Sequence, residues 1–580
     1  MQEKREKYQL TIPQENIWLL DKINPDSTIN NILGTFRINK KLDINILNKV
    51  LNEIVRTNDA LRIRIVERAG VPKQYISSYK EEKFKTYIID SDNDIEINKI
   101  VRIMSEENIH VLENKLYDMK IIQNKIETCV IVKTHHIISD AWTLGQIAEQ
   151  IKEYYLKISN NEEIAIKPSY LEYIKKDEKY RLSEKYVLDK EFWNDYIEEL
   201  KCKNKYEIVK DKRCQRIEKA ISIKLYEKIK NFCSENKLSE YSFLLAIISV
   251  YFSKIFDEEE IIIGTPFLNR KKVDKELEML GMFIATLPIN IITKKQMTFI
   301  EVCKNINTIS LQCFKHSKYP YYEIQRLYQE FSKENMNLYE IAFSYQINKL
   351  EKEIDGDVGK TTWIPNTAQS NPLLISYVNH FGENLFYYDF LIKCMSEDDI
   401  EYIHERILEI IGQVLENRTI KLQEISPLSN HDINLITKFN NSGNIKNDND
   451  TIISKFDKTV TENEDKIALV YGDNRITYRE LYNKAKKLCI KLQEEKVYKE
   501  PIPIILDNDI DFIISILGIL MSGNYYIPIL PEELKDRMQY IIEDSKAKIL
   551  ITNQKYINNI MINNVIKLDI NNLKYENTII

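Results

Sequence analysis

The sequence has few glycines, no closely spaced cysteines, no long apolar segment and little excess charge. Its 580 residues include 13 glycines and 8 cysteines. The closest two cysteines, Cys303 and Cys313, form neither a CxxC pair nor zinc-ligand spacing. We therefore expect free, buried thiols rather than a zinc site.

Charge and hydropathy exclude two further classes of protein. The net charge is -6 with 29% charged residues, so the composition indicates neither the excess of basic residues typical of nucleic-acid binding nor an acidic tail. The longest apolar runs, such as FIISILGILM at 512–521, are too short to span a bilayer, and no apolar core follows the charged N-terminal residues. We predict a cytoplasmic protein that binds neither nucleic acid nor membrane.

Helical and strand-like periodicities alternate along the first 427 residues. LDINILNKVLNEIVRTNDALRIRIV, at 42–66, has apolar residues at helical spacing and then every second residue. YSFLLAIISVYFSKIF, at 241–256, predicts a buried helix, and the strand EIIIGTPFLN follows it. These patterns predict an α/β protein with one region at 1–175, a second at 176–427, an exposed Asn-rich linker at 428–450 and a third unit at 451–580.

Two histidines stand side by side in KTHHIISDAWTL, residues 133–144. His135 and His136 end a predicted buried strand, and Asp140 precedes a predicted amphipathic helix. Asp140 could simply cap that helix. A metal site is less favoured, because neither HExxH nor a third histidine at ligand spacing lies nearby. The third possibility is acyl transfer, in which an imidazole accepts a proton and an anionic Asp orients the loop or a cationic partner.

HHIISDAW resembles the HHxxxDG signature of condensation domains in nonribosomal peptide synthetases, which belong to the chloramphenicol-acetyltransferase-like superfamily. Other segments resemble further motifs of this family in the expected order, so that the resemblance covers residues 8–427. These segments are YQLTIPQENIWLLDKINP, NDALRIRI, PSYLEYI, EFWNDYI, IIIGTPFLNR, LGMFIATLPINI, HSKYPYYEIQRL and MNLYEIAFSYQIN.

The resemblance implies two chloramphenicol-acetyltransferase-like lobes in a V-shaped pseudo-dimer, with a tunnel between them that opens at two faces. In that family, donor and acceptor enter from opposite sides, each tethered through phosphopantetheine to a carrier protein. The acceptor amine attacks the donor thioester and forms an amide, with no Ser or Cys nucleophile. The resemblance therefore implies carrier proteins as partners and no cofactor or metal bound by this chain.

The resemblance also implies roles for individual residues. His136 matches the histidine at the reaction centre, as general base or as the group that positions the amine. His135 and Asp140 then have structural roles, with Asp140 paired to Arg62 and Trp142 beside them in the motif. Loss of one partner from a buried ion pair costs about 3 to 5 kcal/mol, so Asp140→Ala is expected to harm folding as well as rate.

Four residues, at three places in the chain, depart from the family pattern. Ala141 replaces the usual glycine, Thr57 and Asn58 replace an Arg-His pair, and Ala285 replaces a common asparagine. A methyl group at position 141 excludes an easy positive φ. These departures bear on substrate subtype and on full activity.

The third unit resembles the start of an adenylation domain. ITYREL is similar to its first core motif and LMSGNYYIPI to its second, in which Ser522 and Gly523 would let helix and strand approach closely. The Ser/Thr/Gly-rich phosphate loop that should come next is absent before Ile580. We therefore expect a truncated α/β adenylation subdomain with an incomplete ATP site, inactive as it stands, in a fragment of a longer synthetase.

Three other functions stay open at this point. An epimerisation domain shares the paired histidines and the two-lobed fold. A degenerate module could only dock carriers, an alternative that Ala141 favours and that retention of His135, His136, Asp140 and Arg62 opposes. A free-standing acyltransferase could use coenzyme A thioesters. For condensation, the donor would arrive on another protein, and the acceptor carrier would lie downstream or on another chain.

Overall fold

The computed structural model describes residues 6–200, 206, 209–333, 336–347, 352–354, 357–380, 383–440, 450–558, 560, 562 and 564–573. The contacts between residues divide the chain into two units, Met1–Leu435 and Ile436–Ile580. Each unit has its own sheets and its own apolar core.

The helices up to residue 440 are α1 (Ile12–Ile23), α2 (Ile44–Thr57), α3 (Ile95–Glu106), α4 (Ala141–Ser159), α5 (Tyr170–Arg181), α6 (Glu184–Glu198), α7 (Ile223–Asn236), α8 (Glu240–Phe256), α9 (Phe299–Lys315), α10 (Tyr321–Ser332), α11 (Glu397–Glu416) and α12 (Asn430–Asn440). The strands of the first unit are β1 (Asn31–Ile38), β2 (Ile63–Arg68), β3 (Val71–Ile76), β4 (Lys85–Ile88), β5 (Tyr117–Gln123), β6 (Thr128–His135), β7 (Cys214–Ile221), β8 (Glu260–Phe267), β9 (Ala285–Ile292), β10 (Ile341–Ile347), β11 (Lys352–Ile354), β12 (Asp357–Ile364), β13 (Leu373–His380) and β14 (Glu383–Leu391).

The first unit contains two lobes that repeat one strand pattern. The sheet orders are β11-β12-β1-β6-β5-β4 and β7-β14-β13-β10-β8-β9. In each lobe the first strand pairs antiparallel with the strand that precedes a long helix, β6 before α4 and β14 before α11. An antiparallel and then a parallel neighbour follow in both sheets. The predicted mixed α/β fold is confirmed.

The first lobe is completed by a distant part of the chain. Strand β12 pairs antiparallel with β1, from Leu33 opposite Ile364 to Arg37 opposite Lys360, and β11 pairs with β12. This differs from a first lobe confined to residues 1–175. The two strands are more than 300 residues apart in the chain. Each shows only its own periodicity, so the sequence does not indicate that they pair.

The interior of the second lobe is built around α8. Every residue of α8 from Ser242 to Ser253 is buried, as expected for a helix that is apolar on all sides. Among the described residues no single helix is long and apolar enough to span a membrane, and only α7 and α8 taken together across a 107° bend meet that test. Seven of the eight cysteines are described and all seven are unpaired, but only five are buried as predicted, since Cys214 and Cys394 are partly exposed. Cys202 lies outside the described residues.

The predicted linker at 428–450 begins with a helix rather than an exposed coil. Ser429 and Asp432 exchange hydrogen bonds at the start of α12, and Asp432 accepts two from Arg406 of α11, at 3.0 and 2.8 Å. Its Asn-rich composition concealed this helix, because asparagine also favours turns. The remainder, 441–449, lies outside the described residues.

The second unit contains a parallel sheet in the order β18 (Tyr525–Ile529), β17 (Pro501–Ile505), β19 (Ile549–Thr552) and β20 (Ile566–Asp569), and a hairpin of β15 (Ile467–Tyr471) and β16 (Asn474–Thr477). Gly523 has φ +77°, and a Cβ there would lie 2.6 Å from the Tyr498 ring, so it serves a turn against Tyr498 rather than a helix–strand contact. The elements of this unit are α13 (Ile452–Asn463), β15 (Ile467–Tyr471), β16 (Asn474–Thr477), α14 (Tyr478–Glu494), β17 (Pro501–Ile505), α15 (Ile510–Met521), β18 (Tyr525–Ile529), α16 (Lys535–Asp544), β19 (Ile549–Thr552) and β20 (Ile566–Asp569).

Candidate active site

The paired histidines lie at the junction of strand β6 and helix α4. Every residue of β6 is buried up to His135, where the strand ends. His136–Ile138 form one turn of 3-10 helix, and Asp140 is the N-cap residue of α4. The strand end and the helix start were both predicted from local periodicity and are confirmed.

The His135 ring is completely buried and held at both nitrogens. Its Nδ1 accepts a hydrogen bond from the Ile137 backbone N–H at 3.1 Å, and its Nε2 lies 3.3 Å from Asp21 Oδ1. Because Nδ1 accepts, the proton of the neutral ring belongs on Nε2, where it is directed to the Asp21 carboxylate. His135 is therefore fixed in orientation.

His136 has different surroundings. The residue is partly exposed, but its Nδ1 is buried and has no hydrogen-bond partner among the described residues. Burial lowers the pKa of His136, whereas backbone groups of His136 and Ser139 and the Asp140 carboxylate act in the opposite direction. A lowered pKa keeps the imidazole neutral at pH 7, the state in which it can accept a proton.

Asp140 is buried and fully engaged. Oδ1 accepts from the Thr143 N–H at 2.8 Å, as predicted for a helix cap, and Oδ2 accepts from the Phe283 N–H at 3.3 Å. Both oxygens also accept from one guanidinium nitrogen of Arg270, at 2.9 Å each. The carboxylate joins α4 to the second lobe.

The predicted pair between Asp140 and Arg62 is wrong. Arg62 instead donates to the backbone carbonyls of Val55, at 3.2 Å, and Ser77, at 2.8 Å. Arg62 therefore joins the end of α2 to the residue after β3, and the cation beside Asp140 comes from a different lobe.

Arg270 is the site residue that sequence reasoning missed. Its Nη1 donates to the carbonyls of Glu276 and Met279, and its Nη2 donates to the carbonyl of Gly281 as well as to Asp140. The guanidinium carbon lies 3.9 Å from the centre of the Phe283 ring. Its only signal in the sequence was its place at the end of IIIGTPFLNR, since 130 positions separate it from Asp140.

Further hydrogen bonds join the start of α4 to the loop at 270–281. Trp142 Nε1 donates to the Leu277 carbonyl at 2.9 Å, and Thr143 Oγ1 donates to the Gly281 carbonyl at 2.9 Å. Ala141 is the first residue of α4 and is absent from the positive-φ residues of the described chain. Position 141 therefore needs no glycine for backbone reasons.

The other departures from the family pattern are accommodated locally. Thr57 Oγ1 donates to the Glu53 carbonyl at 2.7 Å, and Asn58 Nδ2 donates to Gln150 Oε1 at 2.7 Å. Ala285 begins β9. Within the described part of the chain, no group of three or more His, Cys, Asp or Glu residues is placed to hold a metal ion.

Two family models match this chain. The model for the condensation domain matches residues 4–437, and the model for AMP-binding enzymes matches residues 456–577. Surfactin synthase subunit 1 of Bacillus subtilis (strain 168) is 25% identical over 569 residues, covering 94% of this chain and 16% of that protein. Bacitracin synthase 2 of Bacillus licheniformis is 25% identical over 569 residues, covering 96% and 22%. The chain thus spans less than a quarter of these curated relatives.

Solved structures show the same fold. The four-domain nonribosomal peptide synthetase holo-AB3403, bound to AMP and glycine, gives a TM-score of 0.78 at 15% identity and covers 98% of this chain and 45% of its own. A variant of the starter condensation domain of rhizomide synthetase RzmA gives 0.63 at 15% identity, covering 72% and 97%. Since the first family model spans most of its length, this chain belongs to the condensation domain family of nonribosomal peptide synthetases, followed by an AMP-binding region.

Proposed function

We propose that the first unit forms an amide bond between a carrier-bound acyl or peptidyl thioester and a carrier-bound acceptor amine, with His136 at the reaction centre. The observation that carries this proposal is the contrast within the histidine pair. His135 is held at both ring nitrogens, whereas the His136 Nδ1 has no partner among the described residues and burial lowers the pKa of its ring. A neutral imidazole beside a fixed neighbour suits proton transfer.

The proposed reaction needs no nucleophile from the protein. The acceptor nitrogen attacks the thioester carbonyl carbon, the carbon–sulfur bond breaks, and the thiol leaves on the donor phosphopantetheine. His136 accepts the proton that the amine loses, which then protonates the leaving sulfur, or it orients the amine by a hydrogen bond. The phosphopantetheine arms belong to the carriers, so the chain itself supplies position and electrostatics.

The support for a fixed geometry comes from the ties between the lobes. Asp140 and Arg270 pair across them, and Trp142 and Thr143 donate to carbonyls of the opposite loop. A site built on two lobes suits two substrates that approach through a tunnel from opposite faces. Holding reactants in place can account for several kcal/mol of the barrier, about 7 to 11 kcal/mol in the best intramolecular cases.

The partners and the location are part of the same proposal. The proposed partners are two carrier proteins, one that bears the donor thioester and one that bears the acceptor amine. The unpaired state of the seven described cysteines supports a reducing, cytoplasmic setting. We further propose that residues 451–580 do not adenylate an amino acid in this chain, and amino-acid-dependent exchange of pyrophosphate into ATP would overturn that.

Single-turnover amide formation tests the proposal. Acyl and aminoacyl groups are loaded on separate carrier proteins, with octanoyl-coenzyme A and leucyl-N-acetylcysteamine as small probes, because a solved condensation domain was crystallised with C8-CoA and Leu-SNAC. We expect His136→Ala to lose about 100-fold or more in rate. His110→Ala is the matched control in the same lobe, because the His110 side chain is 67% exposed.

Each outcome has a distinct meaning. Turnover by His136→Ala equal to that of the parent would remove His136 from the reaction centre. Carrier binding without product from a folded parent would favour the docking module. Racemisation of the aminoacyl group on one loaded carrier, without a second substrate, would favour an epimerisation domain. Turnover of coenzyme A thioesters with free amines, but no turnover of carrier-bound substrates, would favour an independent acyltransferase.

A further inference from the structure

We propose that helix α1 is the positioning element of the reaction centre and that Asp21 is its principal positioning residue. This inference rests on the proposed function, since it assigns to Asp21 the orientation of His136 through His135. Asp21 lies in the last turn of α1, and its side chain is 16% exposed, whereas the His135 ring that it faces is 0% exposed.

Asp21 determines which nitrogen of His135 carries the proton. Asp21 Oδ1 lies 3.3 Å from His135 Nε2 and also accepts from Asn30 Nδ2 at 3.3 Å. With the proton on Nε2, Nδ1 is free to accept the Ile137 N–H at 3.1 Å. If the proton moved to Nδ1, two donors would face each other and the turn at His136–Ile138 would lose that bond.

The same helix holds the other side of the turn through Gln14. Gln14 Nε2 donates to the Ile137 carbonyl at 3.1 Å and to Gln74 Oε1 at 3.0 Å, while Gln74 Nε2 donates to Gln14 Oε1 at 2.7 Å. Gln14 is buried. Its amide therefore fixes the carbonyl of Ile137, one residue after His136.

The two attachment points lie on one face of α1. Gln14 and Asp21 are seven residues apart, which is two helical turns or about 10 Å. Asp21 contacts His135, the residue before His136, and Gln14 contacts Ile137, the residue after it. A rigid helix that fixes both neighbours leaves the His136 ring with few alternative positions.

Asp21→Leu tests this role, with Asp92→Leu as the control in the same lobe. Leucine removes the acceptor at similar size, and Asp92 is exposed. With saturating thioesters we expect Asp21→Leu to lower the single-turnover rate constant roughly 10- to 100-fold with little change in KM, because small displacements of reacting groups have effects of this size. Asp21→Asn, which keeps an acceptor oxygen, should restore most of the rate, and Asp92→Leu should match the parent.

A second measurement, the tautomer of His135, distinguishes a positioning role of Asp21 from a contribution to stability alone. In 15N-histidine-labelled protein, with the His135 signal assigned by loss in His135→Gln, the parent should show the Nε2–H tautomer, and Asp21→Leu should show a mixture or the Nδ1–H tautomer. An Nδ1–H tautomer in the parent would overturn the proposal. So would an Asp21→Leu protein that keeps either the parent tautomer or the parent rate.

The two proposals can fail separately. If the parent forms no amide from any probe, the proposed function fails, and the tautomers of the parent and of Asp21→Leu still decide whether Asp21 orients His135. If Asp21→Leu does not fold, the tautomer of the parent alone decides. If amide forms normally in Asp21→Leu, the positioning role is lost and the function stands.

Discussion

At the scale of single residues, two buried groups on either side of Ser139 have opposite electrostatic surroundings. The His136 Nδ1 has no partner among the described residues, and burial lowers the pKa of its ring. Asp140 has hydrogen bonds to both oxygens and a guanidinium beside it. The imidazole is thus kept neutral and available, and the carboxylate is fixed by its hydrogen bonds.

The lowered pKa of His136 predicts the pH range of activity. The usual value is 6.5, so an imidazole below it stays neutral as the pH falls to 6.5 and takes up its proton only at lower pH. We expect the 13C NMR signal of the His136 ring, assigned by its loss in His136→Gln, to titrate below pH 6.5. A midpoint at or above 6.5 would contradict the burial of this ring.

The buried ion pair predicts a coupling in stability. Asp140→Asn leaves Arg270 without its counter-charge and should lower the free energy of unfolding by about 3 to 5 kcal/mol in chemical denaturation. Asp140→Asn combined with Arg270→Met should cost less than the sum of the two changes, because each removes the same interaction.

Arg62 provides the control for that measurement. Asp140→Asn and Arg62→Met should add within about 0.5 kcal/mol, since Arg62 contacts backbone carbonyls elsewhere. Coupling of Asp140 to Arg62 instead of Arg270 would restore the pair predicted from the sequence. The helix cap at Asp140 was predictable because its partner lies three residues away, whereas Arg270 was not.

At the scale of elements, the loop at 270–281 depends on one glycine. Gly281 has φ +144°, and a Cβ there would lie 2.3 Å from the Tyr170 ring. Its carbonyl accepts from Arg270 and Thr143, so any shift of Gly281 disturbs the contacts around Asp140. Sequence patterns identified β6 and α4, because their periodicity is local, but not the course of this loop.

Gly281→Ala should destabilise the protein by about 1 to 3 kcal/mol and lower its activity, because the added methyl group has no space. Gly412→Ala is the comparison. Gly412 lies inside α11 with nothing within 4 Å of an added Cβ. That substitution should stabilise by about 0.5 to 1 kcal/mol, since alanine is the better helix former. Thermal and denaturant unfolding of both variants measure the difference, and equal effects would contradict the close contact at Tyr170.

At the scale of the whole molecule, the motif resemblance predicted the two-lobed fold, and periodicity predicted most of the individual helices and strands. Neither indicated that β12 joins the first lobe or that α12 occupies the supposed linker. The pairing of β12 depends on contacts that form only in the folded chain. Helix α12 is polar and held by the Arg406–Asp432 ion pair, and its composition resembles that of a coil. What was missed depends on contacts between distant residues.

Acid stability is a property of the whole molecule to which one buried histidine should contribute. Burial lowers the pKa of His404 to about 4 from its usual 6.5, and its Nδ1 lies 2.9 Å from the Tyr388 hydroxyl. As the pH falls, His404 of the unfolded chain binds a proton near pH 6.5, whereas His404 of the folded chain binds it only near pH 4. The stability present above pH 6.5 is therefore lost as the pH falls towards 4. The loss approaches about 3 kcal/mol.

His404→Gln should lack that part of the pH dependence. Denaturant unfolding of parent and variant between pH 7 and 4 isolates it from Glu15 and Asp177, whose pKa values burial raises and which therefore act in the opposite sense. His110→Gln, an exposed change, should follow the parent. Parallel curves for the parent and His404→Gln would contradict the neutral state of His404.

The pairing of β12 with β1 has a consequence for recombination among synthetases. The first lobe is assembled from the start of the chain and from a strand encoded after most of the second lobe. A chimera made by one crossover near residue 175 would join a sheet from one parent to a foreign edge strand from the other. Exchange of an intact first lobe requires two crossovers that also carry the segment around 352–364, so single breakpoints inside the condensation region should yield poorly folded hybrids.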